Sequence, residues 1–116
     1  MNAEERKQIP LYSGLFAYFP DALKEVAKVS YRGSKQHHPD EPMHWDRAKS
    51  GDELDALMRH LIDAGTRDKD GMRHSAKVAW RSLASLQKEL ELAGEATTAY
   101  NRVDAMQNMQ KAKRKK

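Results

Sequence analysis

In 116 residues the chain sets 21 basic against 17 acidic side chains, but five of the basic ones fall in the last six positions, which leaves residues 1–110 at 16 against 17. A near-neutral body argues against a dedicated nucleic-acid-binding protein and leaves any attraction to phosphate backbones to a basic, disordered tail over residues 111–116, weak and non-specific. The lack of cysteine excludes disulfides and thiolate chemistry, and without a long apolar run or a signal-peptide core no membrane span is expected and the cytoplasm is the expected location.

The length suits one domain with a modest core, here residues 10–110. With 39% hydrophobic and 33% charged residues the chain is polar for a self-sufficient monomer, so association between copies is expected. Residues 1–9 are polar without periodicity and read as a flexible start. Residues 11–20 are the most aromatic stretch. Ser13, Gly14 and Pro20 break it, which predicts an apolar anchoring loop with Phe16 and Phe19 packed against helices.

A first helix is expected over residues 21–31, entered through Pro20 and stopped by Gly33, with Ala22, Leu23, Val26, Val29 and Ser30 on one face and Asp21, Glu25, Lys28 and Arg32 on the other. Residues 33–49 then hold two prolines and no periodicity. A connection of that length is functional or disordered, and the histidines and tryptophan in and beside it (His37, His38, His44, Trp45), with Asp46 and Arg47, favour function.

The second helix starts at a capping box, Ser50 with Glu53, continues through Leu54, Leu57, Met58, Leu61 and Ile62 at helical spacing, and ends at Gly65. A third helix is expected over residues 70–92 with a core stripe of Met72, Ala76, Ala79, Leu83, Leu86 and Leu90. Gly94 breaks it before a weaker fourth segment over residues 95–110. No strand and no repeat is apparent. The fold class is therefore all-α: a bundle of three main helices plus a C-terminal helix, completed by oligomerisation.

Two patterns carry chemistry. On the second helix Asp55 lies nearest the apolar face, where a carboxylate is costly unless paired or bound to a metal. Asp52 and Asp55 stand one turn apart and can grip one divalent cation; the bland alternative is a solvated helix edge with Asp55 paired to Arg59. On the third helix His74, Lys77, Arg81 and Lys88 line up along one side, and residues 73–88 contain no acid. Such a row near a helix start suits a phosphate chain, the alternative being a basic solvent face. Trp80 reads as packing. The spacings of the five histidines match no standard zinc pattern, so one or two histidines beside hard carboxylates with Mg²⁺ or Mn²⁺ fit better than a structural zinc. There is no Gly-rich phosphate loop, nucleophile elbow or zinc-protease motif.

The segments Pro10-Leu11-Tyr12-Ser13-Gly14, Pro20-Asp21-Ala22-Leu23 and Val26-Ala27, the Gly33 turn, His44-Trp45-Asp46-Arg47, Asp55-Ala56-Leu57-Met58-Arg59-His60-Leu61 and Asp70-Gly71-Met72-Arg73-His74-Ser75-Ala76-Lys77-Val78-Ala79-Trp80-Arg81 follow one another over roughly residues 10–92. In this order they resemble a phage family of dATP/dGTP diphosphohydrolases, of MazZ type, which is similar to the all-α NTP pyrophosphohydrolases that include MazG. The resemblance implies a helical homodimer or homotetramer that uses Mg²⁺ or Mn²⁺ to convert dGTP or dATP to the monophosphate and pyrophosphate, in phages that place 2-aminoadenine in their DNA. That superfamily's metal site is usually written E-x-x-E and then E-x-x-D, a spelling this chain lacks. Carried onto the positions available, the resemblance implies metal ligands among Asp52, Asp55, Asp21 and Glu25, with His74 assisting Asp55 and Asp52 in catalysis. Arg59, Lys77, Arg81 and Lys35 would bind phosphate. Trp45, His44 and Tyr12 would hold the purine, with residues 33–49 as a lid. The alternative is a helical module that binds nucleic acid or nucleotide without catalysis.

Overall fold

A computed structural model describes residues 1–45 and 51–95. It is all-α: a short α1 (Ala3–Lys7), a π-helical turn (Tyr12–Phe16), α2 (Pro20–His37), α3 (Glu53–Ile62) and α4 (His74–Leu92), and the β structure among the described residues is a lone bridge between Arg67 and Arg73. The expected fourth helical segment beyond residue 95, the basic tail, and Asp46, Arg47 and Ser50 lie outside the described residues. No helix is long and apolar enough to cross a membrane among the residues described.

The polar N-terminus is ordered locally: Asn2 accepts from the Glu5 amide at 2.8 Å and the Glu5 carboxylate accepts from the Asn2 amide at 3.2 Å, a reciprocal cap that makes α1. The aromatic stretch coils into the π-helical turn, closed by Ala17 donating to the Tyr12 carbonyl at 2.8 Å. Phe16 and Phe19 do not pack as expected. Both are about half exposed, because no described element covers them.

Helix α2 begins at Pro20 as expected but runs through Gly33 to His37. A glycine inside a helix costs only about 1 kcal/mol relative to alanine, too little to stop a helix packed along α4. The stop comes instead at His38, whose extended φ of −140° suits the residue before Pro39. The extra turn and a half brings Ser34, His37 and His38 to the wall of a pocket.

Helix α4 begins four residues later than expected. Asp68–Met72 form a tight turn first: Asp68 donates its amide to the Met72 carbonyl at 2.7 Å, and the Asp70 side chain accepts from the Met72 amide at 3.0 Å. Gly71 sits at φ +82°, a conformation that disfavours any side chain. The α3 helix starts at Glu53, with Asp52 as its N-cap residue.

Helix α4 packs against both α3 and α2 and is the axis of the fold. The faces it and α3 turn inward differ from expectation. Buried are Glu53, Ala56, Met72, Ala76, Ala84 and Ser34, whereas Leu54, Met58, Leu61 and Ile62 of α3 and Leu83 and Leu86 of α4 remain exposed. Alanines at the contacts let the helices approach closely, and the row containing Lys77, Arg81 and Lys88 turns inward rather than to solvent. Amphipathic periodicity finds the apolar stripe, but among the described residues no element covers it.

Candidate active site

The inward rows enclose a pocket of about 320 Å³, bounded by Val29, Ser30, Arg32, Gly33, Ser34, Gln36 and His37 of α2 and by His38 after it, by His44 and Trp45, by His60 of α3, by Asp70 and Met72, and by Lys77, Trp80 and Arg81 of α4. Two anchors hold the loop wall in place. Buried Ser34 accepts from the His44 amide at 3.2 Å through its hydroxyl, and its carbonyl accepts from the His38 amide at 2.7 Å.

On that wall His38, Glu41 and His44 converge. His38 Nδ1 lies 3.2 Å and His44 Nε2 3.7 Å from Glu41 Oε2, and the two imidazoles stand 4.3 Å apart between centroids. His44 Nδ1 is 3.0 Å from the Pro42 carbonyl. A carbonyl only accepts, so Nδ1 carries the hydrogen.

Across the pocket, His60 and His74 meet Nδ1 to Nδ1 at 2.9 Å, and Asp68 brings a carboxylate oxygen into the same cluster. One of the two nitrogens must be the donor, so the rings meet through one hydrogen bond whose direction their tautomers set. Burial pushes the His60 imidazole below its ordinary value, helped by the Lys77 and His74 charges. Lys77 Nζ donates to Asp68 at 2.7 Å and to Asp70 at 2.8 Å. The Lys77 hydrogen bond, with a further one from the Lys69 amide, holds the Asp68 carboxyl down at about 2, and Asp70 is likewise lowered by Lys77. Burial opposes charge on Lys77 itself, yet its two carboxylate partners outweigh that and raise it. The clamp is therefore fully ionised at neutral pH.

A tryptophan pair completes the enclosure. Trp45 meets Trp80 edge-on at 5.6 Å, Lys88 lies 5.7 Å over the Trp45 ring, and the Arg81 guanidinium lies 5.3 Å over Trp80. The same Lys88 reaches both oxygens of buried Glu53 at 3.2 Å, which ties the start of α3 to α4 and to the loop.

Residues 2–99, and with them every residue of this pocket, match the family model described as dATP/dGTP diphosphohydrolase, N-terminal. The chain belongs to that family. No curated protein and no solved structure gives a match.

Within this diphosphohydrolase family domain the expected site residues divide. Lys77, Arg81, His44 and Trp45 line the pocket, and His74 sits in the imidazole pair beside it. Asp55 is exposed, so the carboxylate carried into the core is not Asp55 but its neighbour Glu53. Arg59 pairs with Asp52 at 3.3 Å, not with Asp55, on the exposed side of α3. Asp21 and Glu25 lie in the first half of α2, Glu25 held by Lys28 at 2.9 Å, and neither is a pocket residue. Lys35 rests over the Tyr31 ring at 5.8 Å and Tyr12 is 80% exposed, both away from the pocket. Sequence reasoning gave no role to His38, Glu41, His60 and Asp68. The signal for His38, Glu41 and His44 is their even three-residue spacing around Pro39 and Pro42; for His60 it is a polar ring on the helix face opposite Leu54 and Ile62.

Proposed function

We propose that the chain hydrolyses a purine deoxynucleoside triphosphate, dGTP or dATP, to the monophosphate and pyrophosphate, with the substrate in the pocket between α2 and α4. The observation that supports this reading is the convergence in one cavity of guanidinium and ammonium groups, a tryptophan pair and His60, itself hydrogen-bonded to His74 beside the cavity, all within the family match. At about 320 Å³ the cavity is at the low end of ligand pockets and suits part of a nucleotide, with the remainder extending outward. Arg81 and Arg32 are the cations to meet phosphate oxygens, since Lys77 is engaged by Asp68 and Asp70. The face of Trp45 or Trp80 suits a purine. The His60–His74 pair can take the proton of an attacking water and return it to a leaving group.

A bound divalent cation would supply charge neutralisation and a more acidic water. At the His60, Asp68 and His74 set such an ion would have to displace Lys77 from Asp68 and part the two imidazoles, and two imidazoles with one carboxylate would favour Mn²⁺ over Mg²⁺. The exposed Asp52 and Asp55, and Asp21 and Glu25, would serve a metal only if another copy closed over them. Copies meeting as a homodimer or homotetramer would cover Leu54, Leu61, Leu83 and Leu86. A role in phage nucleotide-pool remodelling for 2-aminoadenine DNA is the extension that the family resemblance supports.

One observation favours a second reading, nucleotide binding without hydrolysis: the Lys77 ammonium already neutralises Asp68 and Asp70. A turnover screen separates the two. Purified chain is incubated with each of the four dNTPs and Mg²⁺ or Mn²⁺, and the products are resolved by chromatography. Purine dNMP and pyrophosphate are expected, lost in His74→Gln and kept in Asp55→Asn. Tight dNTP binding with no product would support the second reading, and loss of turnover in Asp55→Asn would return the metal to the exposed acids of α3.

A further inference from the structure

The loop that follows α2 places three metal-ligand atoms on a single small patch. One ligand atom from each of His38, Glu41 and His44 lies within 4.8 Å of the other two, and Glu41 Oε2 stands 3.2 Å from His38 Nδ1 and 3.7 Å from His44 Nε2. Nitrogen and oxygen ligands about 2.0–2.2 Å from a tetrahedral ion stand roughly 3.3–3.5 Å apart. The observed edges bracket that value.

The orientation of His44 agrees. Its Nδ1 hydrogen is directed at the Pro42 carbonyl, which leaves Nε2 as the nitrogen facing Glu41. At 3.7 Å that contact is too long for a hydrogen bond. Metal-bound histidines commonly donate their other ring N–H to a backbone carbonyl, as His44 does to Pro42. The His44 side chain is only 7% exposed, so the ring is held by its surroundings and has little freedom to turn away.

The ligands are also prearranged. They are spaced three residues apart, the Glu41 amide donates to the His38 carbonyl at 3.2 Å, and Pro39 and Pro42 restrict the backbone between them. Ser34 then fastens the loop to α2 from both the His38 and His44 sides.

We propose that His38, Glu41 and His44 form a binding site for a divalent transition-metal ion, Zn²⁺ or a similar borderline ion and not Mg²⁺. Two imidazoles and one carboxylate are the donor set such ions prefer, whereas Mg²⁺ prefers an all-oxygen shell. Three protein ligands leave a coordination position open, as in zinc sites that bind water or substrate. His38 and His44 line the pocket, so the ion sits at the pocket wall. This site is distinct from the His60, Asp68 and His74 cluster, where the Lys77 ammonium is already present.

The test is calorimetric titration of Zn²⁺ into chelator-treated full-length chain, without nucleotide and with excess Mg²⁺, so that the result is independent of the turnover screen. About one ion per chain is expected at this site. Changes in the outer shell of metal sites cost about 10–100-fold in affinity. Loss of a direct ligand in Glu41→Gln or His44→Gln should weaken binding by more than that. His74→Gln should retain the tight site, and Co²⁺ absorption together with helical circular dichroism confirms that each variant is folded and reports the ligand change. Unaltered Zn²⁺ affinity in Glu41→Gln and His44→Gln, no tight Zn²⁺ binding by the wild-type chain, or loss confined to His74→Gln would each overturn the proposal.

Discussion

His60, joined to His74 Nδ1 to Nδ1 at 2.9 Å, is a residue whose protonation the fold controls. A proton on both rings would leave two imidazolium N–H groups facing each other, and burial with the nearby Lys77 charge already lowers His60 from the ordinary 6.5. The unfolded chain therefore takes up this proton at a higher pH than the folded chain does. Stability from this group is fully present above about pH 6.5 and is lost as pH falls through the lower folded value. Denaturant midpoints should drop on going from pH 7.5 to 5, and His60→Gln should flatten that dependence; an unchanged slope in the variant would assign it elsewhere. A second expectation concerns Lys77, which holds Asp68 near 2. In Lys77→Met, carboxyl NMR should show Asp68 titrating back toward the ordinary 3.8. Lys77 and Arg81 were legible in the sequence because an acid-free row at helical spacing is unusual. Asp55 misled because a helical wheel ranks angle to the apolar stripe, and that stripe faces outward here.

At the scale of elements, the order and number of main helices could be read from periodicity, while their ends could not. Gly33 and Gly71 illustrate the difference. Gly33 is a helix breaker by propensity, but tertiary packing outweighs its small cost, and α2 continues to His37, two residues before Pro39. Gly71 belongs to a turn fixed by Asp68 and Asp70, a hydrogen-bond pattern that periodicity does not register. Glu53, expected as half of a capping box, instead gives its carboxylate to Lys88, 35 residues away, while Asp52 is the N-cap residue without a side-chain cap bond. Removing one partner of a buried ion pair costs about 3–5 kcal/mol. Glu53 is buried but the Lys88 side chain is 25% exposed, so Lys88→Met should cost less, roughly 2–3 kcal/mol by the same reasoning. Because Lys88 also covers Trp45, the variant should change the tryptophan emission of the native state. A loss under 1 kcal/mol with unaltered emission would show that the tie does not hold the loop.

For the whole molecule the decisive fact is how little apolar surface is covered among the described residues of one chain. Among the described residues the buried hydrophobic set is Ala56, Met72, Ala76 and Ala84, with no large side chain fully buried. Meanwhile Ile62 is 81%, Leu54 65%, Met58 55% and Leu83 53% exposed, on helices that carry the most regular apolar stripes in the sequence. Contiguous exposed apolar surface on a soluble chain marks an interaction face. Fully covering a Leu, Ile or Met side chain is worth about 1.5–3 kcal/mol, so rows on α3 and α4 closing against a second copy would rival the internal core as a source of stability. Composition pointed to association from the outset, but the sequence cannot reveal which face it uses, because the same stripe would serve an internal core equally well. The chain should therefore run as a dimer or tetramer by light scattering, with a melting temperature that rises with protein concentration. Leu61→Asp, at a site already 47% exposed in the single chain, should dissociate the assembly and lower that temperature. A monomeric wild type with a concentration-independent transition, or a Leu61→Asp chain that keeps both mass and stability, would show that the exposed stripe is not an interface between copies.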